Sequence, residues 1–334
     1  MILAGDIGGT NTRLALFNGG GTTLAPVVME VFASRDHSGP EEILRKFRAQ
    51  HSQAVEAASF GIAGPVRGGR CQTPNLPWTV DAASVANVLG LPSIDLINDL
   101  EANAHGIAVL APEDLEVIHP GAADARGNRA LISAGTGLGE AGLLADPEGY
   151  RPYPSEGGHC DFAPRNETEI QLLQYLLGRF GHVSYERVLS GPGLYNIYQF
   201  LRDTGRAEEP AWLAEEIRER DPSAVISQHA LKGSCDLCVQ ALDQFVSLYG
   251  AEAGNLALKA MASGGIFIGG GIAPKILSKL KEPAFLQAFT AKGRVSSQLE
   301  AIPVRVILND MTALLGAGRV AARSALKARG NTSE

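Results

Sequence analysis

Two segments of the chain share one plan: strand, glycine turn, strand. The first runs ILAGDIGGTNTRLALF from residue 2 to 17, with an apolar run Ile2 to Ala4, then Asp6, a turn of Gly8, Gly9, Thr10 and Asn11, and a second strand-like run Thr12 to Phe17. The second repeats the pattern with Leu131 to Ala134, the turn Gly135, Thr136, Gly137, Leu138, Gly139, and then Ala141 to Ala145. The repeat is one of structure rather than identity, and each copy heads a stretch of strands and helices. A supersecondary unit that occurs twice predicts a duplicated architecture. Here that means two α/β domains with mixed β-sheets flanked by helices. Two such domains facing each other would bring both hairpin tips to one cleft.

The turns narrow the chemistry. A dinucleotide-binding glycine motif and a P-loop both lead from a strand into a helix, whereas these turns lead into another strand. The first segment therefore reads as a β-hairpin with a short polar tip. Successive backbone N–H groups of such a tip can converge on an anion, with Thr10 and Asn11 as added donors. Asp6 would repel a bare phosphate, so the arrangement asks for a cation; Mg²⁺ held through water between a carboxylate and phosphate oxygens meets that need. The same residues also suit an ordinary hairpin whose Asp6 hydrogen-bonds its own turn. On this segment alone both readings stand.

Around the hairpins the pattern is regular. TLAPVVMEVF reads as a strand, and GPEEILRKFRAQ as a helix with Pro40 near its start and Glu41 and Glu42 in its first turn. EAASFGIAG and SIDLIND read as strands, and LEANAHGIAVL as a helix. Further on, ETEIQLLQYLLGRF, GPGLYNIYQFLRD, PAWLAEEIRER and the run Ser234 to Met261 carry apolar residues at helical spacing. GGIFIGGGIAPKIL predicts a buried strand Ile266 to Ile268, a turn Gly269 to Gly271, and a helix with Pro274 in its first turn. PVRVIL and TALLGAGRVAARSALKAR close the chain as strand and helix, and the tail GNTSE is expected to be disordered. The domains are expected at 1–110 with the last helix, 313–330, and at 111–312.

Composition excludes several classes. The 334 residues are 45% hydrophobic and 19% charged with net charge −7, which does not invite nucleic acid. No apolar stretch reaches the ~18–20 residues that span a bilayer. Asp6 interrupts the apolar N-terminal segment and no basic lead precedes it, so no signal peptide is expected. Four cysteines, Cys71, Cys160, Cys235 and Cys238, suit a reducing cytoplasm. Cys235 and Cys238 form a CxxC without a second such pair, inside a long helical pattern; packing on a buried helix face is the preferred reading over metal or redox use.

The chain resembles bacterial glucokinases, ATP-dependent hexose kinases built from two actin-like (ribonuclease-H-like) α/β domains with ATP and sugar in the interdomain cleft. The resemblance covers nearly the whole length and rests on GDIGGTNTRLAL at 5–16, LINDLEANAHG at 96–106, GTGLGEAGL at 135–143, SEGGHCDFAP at 155–164, YERVLSGPGL at 185–194, GGIFIGGGIAPK at 264–275 and ALLGAG at 313–318. It implies that Asp6, Gly8, Gly9, Thr10 and Asn11, with Gly135, Thr136 and Gly137, hold the ATP phosphates and Mg²⁺, and that Gly269, Gly270 and Gly271 lie under the adenosine. It further implies that Asn98, Asp99, Glu156, His159 and Glu186 contact the sugar, with Asp99 as catalytic base. Glucose and ATP are then the ligands, and a homodimer is common in the family.

The residues themselves agree with this reading. Asn98 and Asp99 fall where a strand stops and a helix starts, the end of an open α/β sheet where ligands gather. Either could equally be the helix N-cap. Glu156 and His159 flank two glycines, which argues for a shaped backbone, and carboxylates with an imidazole satisfy vicinal hydroxyls in pairs. Glu186 begins a helical turn, where a carboxylate is favoured; a plain surface helix is the alternative. Two departures matter. Cys160 stands alone where a related repressor and sugar-kinase group carries a cysteine-rich zinc motif, so no structural zinc is expected. Asn309 to Met311 carry no readable signal. The expected reaction is ATP-dependent conversion of glucose to glucose 6-phosphate. A kinase for mannose, fructose or N-acetylglucosamine, and a non-catalytic sugar-binding actin-like ATPase, are the alternatives. A filament or chaperone ATPase would lack Glu156, His159 and Glu186, and a D-x-D-x-T phosphatase is excluded by Gly8.

Overall fold

A computed structural model describes residues 1–18, 24–74, 76–147 and 149–331. The chain opens with strands β1 (Ile2–Ile7), β2 (Asn11–Phe17) and β3 (Pro26–Ala33), then helix α1 (Pro40–Gln50) and β4 (Ala57–Ile62). A small pair β5 (Arg70–Gln72) and β6 (Thr79–Asp81) precedes α2 (Ala82–Leu89), β7 (Asp95–Asn98) and α3 (Asp99–Gly106). Next come β8 (Leu115–His119), β9 (Arg129–Ala134), β10 (Leu138–Asp146) and β11 (Gly149–Ser155). The helices α4 (Glu167–Leu177), α5 (Gly191–Asp203), α6 (Ala211–Glu219), α7 (Pro222–Lys232) and α8 (Asp236–Lys259) follow. The chain closes with β12 (Gly265–Gly269), α9 (Leu277–Leu280), α10 (Pro283–Thr290), α11 (Ser296–Glu300), β13 (Val304–Ile307) and α12 (Thr312–Asn331). Among the described residues, no helix is long and apolar enough to cross a membrane.

Contacts divide the chain into two compact units. One holds Met1–Pro112, Asp146–Pro154 and the chain from Asn309 onward; the other holds Glu113–Ala145 and Ser155–Leu308. The sheet of the first runs in the order β3-β2-β1-β4-β7, with β1–β2 and β2–β3 antiparallel and β1–β4 and β4–β7 parallel. In the second, β10-β9-β12-β13-β8 repeats the central plan of an antiparallel hairpin followed by two parallel neighbours. The duplication expected from the two glycine hairpins is thus present in strand order.

The period-two alternation of β1 and β2 explains how the first sheet is buried on both faces. Leu3, Ile7, Leu14 and Leu16 face α1 through Ile43, Leu44 and Phe47. Ile2, Ala4, Ala15 and Phe17 face α12 through Leu314, Ala317 and Ala321. In the second unit, Ala130 and Ile132 of β9, Ile266 and Ile268 of β12 and Val304 and Val306 of β13 join one large core with α5, α7 and α8.

Several sequence expectations change in detail. The helix expected after the triple-glycine turn is instead a 3₁₀ turn, Ala273–Ile276, followed by the single-turn α9. Pro274 lies in that 3₁₀ turn. The pattern to Phe180 ends as a helix at Leu177. Helix α7 and strands β8 and β11 were not read from the sequence at all. Of the tail GNTSE, residues 332–334 lie outside the described residues.

Two glycines set the spacing of α3 and α12. A Cβ on Gly106 would overlap the carbonyl oxygen of Thr312, and one on Gly316 would overlap that of Ala102. The two helices therefore touch backbone to backbone, which is what the glycines of ALLGAG provide. Gly318 differs: its Cβ would stand 3.3 Å from a carbon of the Phe17 ring. We predict that Gly316→Ala lowers stability by about 2–3 kcal/mol through overpacking. Gly318→Ala should be close to neutral, since the ~1 kcal/mol helix preference for alanine offsets a mild contact. Urea denaturation of both variants checks this; equal midpoints would contradict it.

Candidate active site

In the first unit the residues that the sequence marks as candidates gather at the carboxyl ends of three parallel strands. The register places Ile7 beside Ile62 and Ile62 beside Asn98, so β1, β4 and β7 end in one row. Asn98 is the N-cap of α3: its Oδ1 accepts from the Leu100 N–H at 2.9 Å, and its Nδ2 donates to the Gly64 carbonyl at 3.0 Å. Asp99 is the first helical residue, and its Oδ1 also accepts from Leu100 N–H at 2.9 Å. The capping alternative therefore holds for Asn98 in addition to its place on the ligand-gathering edge.

The β1–β2 hairpin is closed by Gly8 N–H to Asn11 O at 3.0 Å. Ser34 braces it from outside: its hydroxyl donates to the Gly8 carbonyl at 2.7 Å, and its N–H to the Thr10 carbonyl at 2.9 Å. Thr10 and Asn11 stand exposed at the tip, with Gly9 between the braced carbonyls.

Asp6 pairs across the hairpin with Arg13. The Arg13 guanidinium is also taken by Asp310, through Nη2 to Oδ2 at 2.7 Å and Nη1 to the backbone oxygen at 2.6 Å. Burial pushes the Asp6 carboxyl up to about 6; Arg13 opposes the shift, and the charges of Asp99 and Asp310 add to it. Asp6 thus feels two neighbouring acids and one guanidinium, which is itself bonded to Asp310. Asp310 is the residue sequence reasoning missed. Its only sequence signal is an acid just before the α12 start, where Asn309 Oδ1 caps Met311 N–H at 2.8 Å.

The second unit holds the other set. The β9–β10 turn is closed by Gly135 N–H to Gly137 O at 2.8 Å, and Gly191 N–H at the start of α5 donates to Gly135 O at 2.8 Å. Gly135 has open space where a side chain would project, and Thr136 is exposed. The Gly269–Gly271 turn lies against the same strand end. Gly270 has φ +83°, and its Cβ would overlap the Ala134 carbonyl, so only glycine fits; Gly271 opens to free space.

Glu186 sits in a 3₁₀ turn, Tyr185–Arg187, and reaches the second glycine turn. Its Oε2 accepts from Leu138 N–H at 3.0 Å, and a Cβ on Gly137 would come within 2.6 Å of that oxygen. Its Oε1 lies 4.0 Å from Nδ1 of His159. His159 ends the 3₁₀ turn Gly157–His159 and is 60% exposed on its side chain. Glu156 precedes this turn with its side chain in solvent. Gly157 and Gly158 have no room for a Cβ, being seated on Glu140 Oε2 and on the Leu138 carbonyl. The paired glycines are thus a steric requirement.

Cys235 and Cys238 are buried at the start of α8 and Cys160 is exposed, all as free thiols. Burial, with Cys235 next, pushes the Cys238 thiol up, so it packs as a protonated group. Among the described residues, no group of three or more His, Cys, Asp or Glu is placed to hold a metal ion.

A family profile described as glucokinase matches residues 3–324. The chain is 43% identical to a glucokinase of Trichormus variabilis, over 97% of this chain and 99% of that one. A solved glucokinase from an Antarctic psychrotroph superposes with TM-score 0.84 at 31% identity, covering 96% of this chain and 98% of that one. A glucokinase of the ROK family from Streptomyces griseus, solved with glucose and AMPPNP, shares the fold at TM-score 0.64 and 21% identity, covering 96% and 99%.

The state of Asp6 yields a stability prediction. Its folded acid constant lies near 6 against an ordinary 3.8, so the folded chain holds this proton more tightly than the unfolded one. Stability from this group therefore falls as pH rises through about 4 to 6 and stays low above. In chelator-treated protein, Asp6→Asn should match wild type near pH 4 and exceed it by on the order of 1–3 kcal/mol at pH 8. Denaturation at both pH values decides; a variant less stable than wild type at pH 8 would contradict the account.

Proposed function

Since the chain belongs to the glucokinase family, an enzyme family of the actin-like fold, we propose that it transfers the γ-phosphoryl group of ATP to the 6-hydroxyl of glucose. The observation that carries the mechanism is the gathering of Asp6, Asn98 and Asp99 at the carboxyl edge of three parallel strands, where Asp6 senses the charge of Asp99. The S. griseus enzyme's glucose and AMPPNP support the ligand pair.

Phosphoryl transfer depends on positioning and charge neutralisation more than on covalent work by the protein. The braced tip Gly8 to Asn11 and the turn Gly135 to Gly137 offer backbone N–H groups and hydroxyls to phosphate oxygens. Gly270 and Gly271 leave backbone open for the flat adenine ring. Asp99 takes the 6-hydroxyl proton and orients the oxygen toward phosphorus. Asn98 holds the strand end while its side chain caps α3. Glu156, His159 and Glu186 receive the remaining hydroxyls, Glu186 with one oxygen already fixed by Leu138 N–H.

The residues fit Mg²⁺. Asp6 is buried near the charges of Asp99 and Asp310, and a divalent cation there would let it ionise. With no group of three such ligands beside it among the described residues, the ion would keep most of its water and be held by Asp6 and the phosphates. When bound, it neutralises phosphate charge.

Two variants test this. Asp99→Asn keeps the shape of the α3 start and removes the proton acceptor, so kcat should fall by ~10²–10⁴. Glucose affinity should shift by only ~1–2 kcal/mol. A coupled assay beside calorimetry reads both; more than about a tenth of wild-type kcat would move the base elsewhere. Glu156→Ala should leave the unliganded melting temperature unchanged and abolish most of the rise that glucose causes by mass action. A full glucose-induced shift would remove Glu156 from the site.

A further inference from the structure

Both sugar-facing turns of the second unit rest on the same pair of buried acids. Glu140 on β10 is 1% exposed and Glu252 on α8 is 0% exposed. The two lie close enough for the charge of Glu252 to act on Glu140. Buried acids so placed oppose each other's ionisation, which favours a proton on Glu140. Burial, and then the charge of Glu252, push the Glu140 acid far above the usual carboxylate range, with Lys259 opposing. Its Oε1 is buried with no hydrogen-bond partner among the described residues. A neutral acid tolerates that better than a carboxylate.

Each acid supports one turn. The Glu140 Oε2 occupies the space a Cβ on Gly157 would need, so the Gly157–His159 turn lies directly on this carboxyl group. Glu252 reaches the other turn through Asn255, beside the Tyr185 hydroxyl on which its charge acts. Asn255 Nδ2 donates to Glu252 Oε2 at 2.8 Å and to the Tyr185 oxygen at 3.0 Å. Tyr185 N–H then donates to Cys160 O at 3.0 Å, tying the turn of Glu186 to the end of the turn of His159.

We propose that the buried acids Glu140 and Glu252 are positioning residues for the hexose, seating the Gly157–His159 and Tyr185–Arg187 turns so that Glu156, His159 and Glu186 meet the sugar. This rests on the reading that those three residues bind the sugar. Other charged and titratable groups face the pair. Lys259 Nζ lies 3.4 Å from Glu252 Oε1, and Lys292 Nζ donates to Asn255 Oδ1 at 2.6 Å. Tyr249 lies near Glu140, and Arg165 acts on Tyr185 and Lys292. A single pH profile would mix all of them, so the test compares variants at Glu140.

Glu140→Ala removes the seat and leaves Glu252 without its partner. The glucose KM should rise about tenfold while kcat stays within about twofold, the pattern of lost ground-state binding. Glu140→Gln supplies an amide N–H in place of the acid O–H and should restore KM to within about twofold of wild type at pH 7. Between about pH 6 and 9, the wild-type glucose KM should rise more steeply than that of the Gln variant, the difference reporting loss of the Glu140 proton. A folded Glu140→Ala protein with unchanged glucose KM would overturn the proposal. If that variant does not fold, parallel KM profiles of wild type and Glu140→Gln would overturn it instead. An unchanged glucose KM in Glu156→Ala would defeat the underlying site reading, whatever the Glu140 variants do.

Discussion

The glycine turns of this chain are set by backbone lying on backbone, at places where no Cβ can fit. Gly158 rests on the Leu138 carbonyl, Gly270 on the Ala134 carbonyl, and Gly106 and Gly316 on the facing helix. Contacts of this kind have no rotamer to change, so they locate a turn more rigidly than side-chain packing does. The Gly157–His159 turn, the triple-glycine turn and the start of α12 inherit their positions from them. With α12 placed against α3, Asp310 falls where Arg13 can reach it.

Charge is concentrated on this frame at a cost in stability. In the first unit, the charges of Asp99 and Asp310 both act on the buried Asp6, and Arg13 is bonded to Asp310. In the second, two buried glutamic acids stand together under the Gly157–His159 turn. Neither arrangement suits a chain selected only to be stable; local rules are commonly broken at functional sites. Both make sense for a reaction that brings several negative oxygens together and must neutralise them without water.

Much of the fold was legible in the sequence because it follows from periodicity and punctuation. Helix α5 begins and ends where its Ser-Gly-Pro start and apolar spacing place it. Both hairpins follow from a glycine turn between apolar runs. The unread parts depend on contacts distant in sequence. Glu140 looks like an interruption of a strand until Glu252, more than a hundred residues later, comes beside it. Asp310 looks like a loop residue until Arg13 reaches it. Helix α7 fully buries only Val225, Ile226 and Ala230, too few apolar positions among Ser223, Ser227 and Gln228 to read as a helical stripe. The residues of the site were named from motifs, but the reasons for Gly157 and Gly158 needed the atoms beneath them.

The central claim is sugar-dependent phosphoryl transfer, and the most direct test follows both products at once. Purified chain is supplied with ATP, Mg²⁺ and glucose, and ADP and glucose 6-phosphate are quantified together, beside a reaction without sugar. The account predicts that the two products form one for one and that ADP release without glucose is a small fraction of the rate with it. ADP released at the same rate with or without glucose, and no glucose 6-phosphate, would contradict it.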